Sequence, residues 1–124
     1  MSQINIKVLP ESKANILILS AVGKLTDEDY KNVFIPRLES IIREYGKARL
    51  LLDMGDKFHG WEAEALWDDA RFGFTHRNDF EKMGVIGAPK WFEWGLKIAA
   101  SIIGGEIKNF HSNEREQAFH WINE

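Results

Sequence analysis

Asp53, Asp56 and His59 stand close enough in sequence to share one loop, and two carboxylates with an imidazole are ligand types that hold a divalent cation. Their spacing matches no recognised metal signature, and His76, His111 and His120 offer no partner at the four-residue step of a helical zinc site. The expectation is therefore no metal, with Asp53 satisfying backbone donors at a strand end and His59 solvated in a loop. Acid–base chemistry by paired carboxylates fares no better, because the members of Glu62/Glu64 and of Asp68/Asp69 diverge around a helix instead of facing one substrate. The chain has no Cys, which removes thiolate nucleophiles, disulfides and Cys-built metal centres. Ser101 lies in an apolar stretch with no adjacent base, and Gly84, Gly87, Gly104 and Gly105 fit neither a phosphate-binding loop nor the dinucleotide fingerprint. No catalytic residue and no cofactor is expected.

The elements that would position any site follow from apolar patterning over 124 residues, the length of one ordinary domain. Ile4 to Leu9 alternates and stops at Pro10, and Ile16 to Val22 is a denser apolar run, so the two read as strands of a hairpin. Thr26 precedes three acids and caps a helix whose apolar residues recur from Tyr30 to Tyr45, with Gly46 as its stop and Pro36 as a bend. Arg49 to Met54 reads as a strand buried on both sides, followed by a loop from Gly55 to Gly60. Trp61 to His76 reads as a second helix with Ala63, Leu66, Trp67, Ala70 and Phe74 on its core face. Lys82 to Gly87 is a strand, Trp91 to Ile103 a third helix, and Glu106 to Phe110 a fifth strand. Asn113 to Ile122 is a last helix capped by Ser112 or Asn113. The fold class expected is a single α/β domain over residues 1–124, with a mostly parallel five-stranded sheet, an antiparallel N-terminal strand and four helices.

That order, with Tyr30-Lys31-Asn32-Val33-Phe34-Ile35-Pro36-Arg37-Leu38, then Leu50-Leu51-Leu52-Asp53 and Phe58-His59-Gly60-Trp61, resembles the SpoIIAA-like family of small STAS-type domains. The resemblance spans nearly the whole chain. It implies relationship in fold to the anti-sigma-factor antagonists of sporulation and to lipid-carrier domains of the CRAL-TRIO type, hence binding without chemistry. The antagonists are switched by phosphorylation of a serine where the third strand meets the second helix; here Asp53-Met54-Gly55 holds that junction. No Ser or Thr lies between Asp53 and Thr75, so the switch has no acceptor. Asp56 is read as a plain cap in preference to a fixed mimic of phosphate.

Five Trp, all beyond position 60, are the compositional oddity. Trp67 and Trp121 are expected to pack in the core. The third helix is apolar except for a stripe of Glu93, Lys97 and Ser101, which a small domain rarely buries on every side. Trp91, Phe92, Trp94, Ile98 and Ile102 are its expected membrane-contacting residues. A dimer or partner seam and plain core packing are the rival readings. Gly-Ala-Pro-Lys before Trp91 supplies a hinge, and the resemblance implies open and closed positions of this helix.

In open α/β sheets the ligand crevice lies at the carboxyl ends of the strands. There Phe58, Trp61, Trp91 and Trp94 would form aromatic walls, with Lys57, Lys90 and His111 for an acidic head group of a lipid-like ligand. The leading expectation is thus a non-enzymatic domain that binds an apolar or amphipathic molecule beneath the helix and associates peripherally with membrane. The alternative is an interaction module of the antagonist type, without the phosphorylatable serine, docking a protein partner through Asp53 to Trp61. The net charge of −3 offers no field for nucleic acid. With no charged and apolar leader in Met-Ser-Gln-Ile-Asn-Ile-Lys, the expected location is cytoplasmic, at or near the inner membrane face.

Overall fold

The computed structural model describes residues 5–124, except for the side chains of residues 55–57 and 66. Its five strands are β1 (Ile6–Val8), β2 (Ile16–Leu25), β3 (Ala48–Trp61), β4 (Phe80–Ile86) and β5 (Glu106–Phe110), hydrogen-bonded in that order. β1 runs antiparallel to β2, with Ile6 opposite Ala21, and every later pair is parallel. The expected hairpin and mostly parallel five-stranded sheet are both present. The expected start of the first strand at Ile4 lies outside the described residues.

Sequential parallel strands joined by right-handed crossovers carry all their connecting helices on one face. The core divides accordingly. Leu17, Leu19, Leu50, Leu52 and Val85 pack under Tyr30, Phe34, Leu38, Phe72 and Leu96, whereas Ile16, Ile18, Leu51 and Ile86 pack under Ala118, Trp121 and Ile122 of the last helix. The alternation of neighbours such as Leu50, Leu51 and Leu52 between the two cores is the two-residue period of a strand buried on both sides. Trp121 is buried as expected.

The first crossover is a composite helix: α1 (Asp27–Asp29), a π turn (Tyr30–Phe34) and α2 (Ile35–Tyr45). Thr26 caps it, its Oγ1 accepting from the Asp29 N–H at 3.2 Å while the Asp29 carboxylate accepts from the Thr26 N–H at 2.8 Å. Pro36 has no N–H to give and would crowd the carbonyl four residues back. The wider π turn ahead of it relieves that conflict, with the Ile35 N–H reaching back five residues to Tyr30 O.

Three expectations need correction. The loop expected from Gly55 to Gly60 is a continuation of β3, because β2 itself runs on to Leu25 and offers Gly23, Lys24 and Leu25 to Phe58, Gly60 and Trp61 across bulged register shifts. Trp61 therefore ends a strand and does not begin a helix. The second helix, α3 (Ala63–Thr75), turns Ala65 and Phe72 inward and leaves Trp67 64% and Phe74 59% exposed, the reverse of the expected face. Arg71 covers the outer side of Trp67, its guanidinium 5.6 Å from the ring centre. Finally, α4 (Lys90–Ile102) and β5 are close to expectation, but Ser112 and Asn113 sit in a 3₁₀ turn ahead of α5 (Arg115–Asn123). Glu114, accepting from the His111 N–H at 2.8 Å, closes that end.

Candidate functional site

α3 and α4 lie over the sheet without closing the space between them, and a cavity of about 290 Å³ remains. Its floor is Leu50, Leu52, Met83 and Val85, and its end walls include Trp61, Phe72 and Phe80. The reason it stays open is local sequence: Ala70 and Gly73 of α3 and Gly95 and Ala99 of α4 line it with little or no side chain. A Cβ added at Gly73 would meet nothing within 4 Å. Phe74, Ile98 and Ile102 line the cavity too and are themselves largely exposed, so they mark its mouth.

Trp61 anchors the end nearest the start of α4. Its ring stacks on Phe92 at 4.6 Å and meets Phe58 and Trp91 edge to face at 4.9 and 5.6 Å. Its Nε1–H donates to Tyr30 Oη at 2.8 Å, and the Tyr30 hydroxyl donates to Asp69 Oδ1 at 3.2 Å. Among the described residues Asp69 is the only titratable group lining the cavity. Burial pushes its carboxyl up to about 6, against the Tyr30 hydroxyl, which favours the ionised form. Burial likewise raises the Tyr30 hydroxyl well above its ordinary value, and the Asp69 charge adds to this. Its chain neighbour Asp68 turns away toward Asp27. A hydrogen bond between those two carboxyls raises Asp68 and lowers Asp27, with Lys31 at 3.0 Å from Asp27.

The sequence-predicted residues separate into groups. Phe58, Trp61 and Trp91 do meet, joined by Phe92. Trp94 is 72% and Trp91 59% exposed, and with Ile98 and Ile102 they give α4 the exposed apolar flank its composition implied. Trp94 is thus no wall of a crevice. Lys90 and His111 lie in a second, polar hollow of about 340 Å³ with Glu93, Asn109 and Ser112, at the carboxyl ends of β4 and β5. α4 turns Phe92, Leu96 and Ala99 to the apolar cavity and Lys90 and Glu93 to this hollow, so the expected cations stand across the helix from the apolar space. Lys57 lies outside the described side chains. The apolar cavity itself sits over the face of β3 and β4, not at the strand ends where the crevice was expected.

Asp53 does not simply satisfy backbone donors. Its Oδ2 accepts from Arg115 Nε at 2.9 Å, tying β3 to α5, while Asp56 lies outside the described side chains and His59 is exposed. Among the described residues no three acidic or histidine side chains are grouped as metal ligands would be. Asp69, Tyr30 and Gly73 were missed by sequence reasoning. One signal was available: Asp69 falls on the same three- and four-residue stripe as buried Ala65 and Phe72, where an acid is out of place unless it has a partner.

A sequentially ordered sheet with its crossover helices on one face and an unfilled space beneath them defines a small α/β binding or regulatory domain of the STAS type. The chain belongs to the SpoIIAA-like family, whose model matches residues 16–123. A solved structure of an uncharacterised protein from Shewanella loihica PV-4, of the DUF3478 family and described as having a SpoIIAA-like fold, is similar at 31% identity with a TM-score of 0.72. The match covers 98% of this chain and 97% of that one. A comparison with curated proteins finds no match. Among the described residues no helix is long and apolar enough to cross a membrane.

Proposed function

We propose that this protein is a non-enzymatic binding domain that takes an apolar or amphipathic molecule into the cavity beneath α4 and rests on membrane surfaces through the outer flank of the same helix. The observation that carries the reading is the cavity of about 290 Å³, walled almost wholly by apolar groups and opening where Phe74, Ile98 and Ile102 are exposed. At roughly 30 Å³ for a water-sized group, that space takes about nine or ten heavy atoms, the size of a medium acyl chain or one segment of a longer one. Trp91 and Trp94 on the same helix supply amphipathic rings for the lipid headgroup region. Gly87, at φ +71° just ahead of α4, is the point about which the helix would turn to admit a ligand. The alternative of protein docking through Asp53 to Trp61 has less support, because the backbone there is held in β3 and Asp53 is paired to Arg115.

Vesicle flotation tests the membrane part. The wild type is expected to float with phosphatidylcholine–phosphatidylglycerol vesicles, and Trp91→Ser/Trp94→Ser to lose at least tenfold in the bound fraction while still melting cooperatively, a few degrees lower because Trp91 leaves the ring of Trp61. Absence of wild-type flotation, or flotation indifferent to both changes, removes that part. Solvent extraction of the purified protein tests the cavity part, with an amphiphile or hydrocarbon expected in near-stoichiometric amount.

A further inference from the structure

The cavity is not uniformly greasy. Asp69 lines it from α3, and among the described residues the Tyr30 hydroxyl is the one donor to its carboxylate, bonded at Oδ1. Among the described residues no protein donor reaches Asp69 Oδ2, in a space whose other lining side chains are apolar. A carboxylate there is poorly served by a hydrocarbon tail, which desolvates it and returns no hydrogen bond. A second carboxylate serves it worse, since two such groups in one apolar site cannot both stay ionised. The groups facing Asp69 relieve neither conflict: Tyr30 on the π turn is neutral, Asp68 turns away to Asp27, and the other described lining residues from the sheet and from α4 carry no charge.

We propose that the cavity selects ligands that carry a hydrogen-bond donor without negative charge, a long-chain alcohol in the first instance, seated head inward with the hydroxyl on Asp69 and the chain running out between Phe74 and Ile102. This rests on the cavity reading above and names the ligand class. It also reverses the polarity that Lys90 and His111 had suggested, since both lie on the far side of α4.

The test is isothermal titration of the full chain at pH 7.5 with 1-octanol, octanoate and naphthalene, the last as an apolar probe with no head group. The wild type is expected to bind 1-octanol at least tenfold more tightly than octanoate. Asp69→Asn should bring the two to within about threefold of each other, by weakening the alcohol and admitting the acid. Octanoate bound as tightly as 1-octanol by the wild type, or an unchanged ratio in Asp69→Asn, overturns the proposal and points to a ligand seated head outward. Binding of naphthalene with no discrimination between the other two refutes the head-group selection alone, whereas no binding of any of the three removes the cavity reading with it. The Asn variant loses a buried charge and keeps the side-chain shape, so it folds, and a urea melt confirms this independently.

Discussion

Gly73→Leu asks whether the space between α3 and α4 is real and whether it is where ligands go. Gly73 lies inside α3, lines the cavity, and has nothing within 4 Å of the position a Cβ would take. Replacing a helix-interior glycine gains about 0.5–1 kcal/mol. Four carbons buried at about 0.8 kcal/mol each add about 3 kcal/mol, and ordering the leucine side chain takes back about 0.5–1 kcal/mol. The net expectation is a gain of about 2.5–3.5 kcal/mol in a urea melt, read equally as a rise of about 10–14 °C in Tm at roughly 4 °C per kcal/mol for a domain of this size. The same four carbons occupy about 120 Å³ at roughly 30 Å³ each, well over a third of the 290 Å³ present, so 1-octanol should lose at least tenfold in affinity. The two readouts check each other. A destabilised variant would mean that α3 and α4 already close on one another. A stabilised variant that still binds the alcohol at full affinity would place the ligand elsewhere.

The raised carboxyl of Asp69 predicts a pH dependence. Its folded value of about 6 lies above the ordinary 3.8, so the native state binds more protons than the unfolded chain between those values, and stability from this group falls as pH rises from about 4 to about 6. Two pH units at about 1.4 kcal/mol each give a loss of about 3 kcal/mol. Asp69→Asn should therefore be more stable than the wild type by that order at pH 8 and nearly equal to it at pH 4, in urea melts at both. Gly87 has φ +71° and a Cβ there would stand 2.6 Å from the Met54 carbonyl oxygen, so Gly87→Ala should cost about 2 kcal/mol or more through left-handed strain and a backbone clash; a shift under 0.5 kcal/mol in the urea midpoint would show that the turn adjusts freely.

The strand order and the exposed flank of α4 were legible because each rests on local pattern. Leu50 to Leu52 could only be a strand buried on both faces, and Glu93, Lys97 and Ser101 left too much apolar circumference to hide. The run from Gly55 to Gly60 was not legible, since it reads as loop by composition and becomes strand only because β2 extends to Leu25 beside it. On α3 two apolar stripes compete. The stripe with the larger residues, Trp67 and Phe74, loses to the one with Ala65 and Phe72, because the way β3 delivers Trp61 into the aromatic cluster fixes the rotation of the helix that follows. The cavity itself is a property of two helices with a strand between them in sequence. Ala70, Gly73, Gly95 and Ala99 become a shared gap only when the sheet sets α3 and α4 side by side, and the position of Asp69 in that gap depends on the rotation that composition misjudged.

The π turn between α1 and α2 gives this stretch of chain an intolerance to gain or loss of residues that its modest sequence would not suggest. Removing one residue from Tyr30–Phe34 would replace the π turn by an ordinary α turn, return Pro36 to conflict with the carbonyl four residues back, turn everything upstream by about 100° and draw it in by about 1.5 Å. The Thr26 cap and the Asn5 side chain, which donates to Asp29 at 3.1 Å, would rotate away with it. Tyr30 would no longer stand between Trp61 and Asp69, and the acid lining the cavity would lose the Tyr30 hydrogen bond. The number of residues in the turn, and not only their side chains, fixes where Tyr30 stands between Trp61 and Asp69.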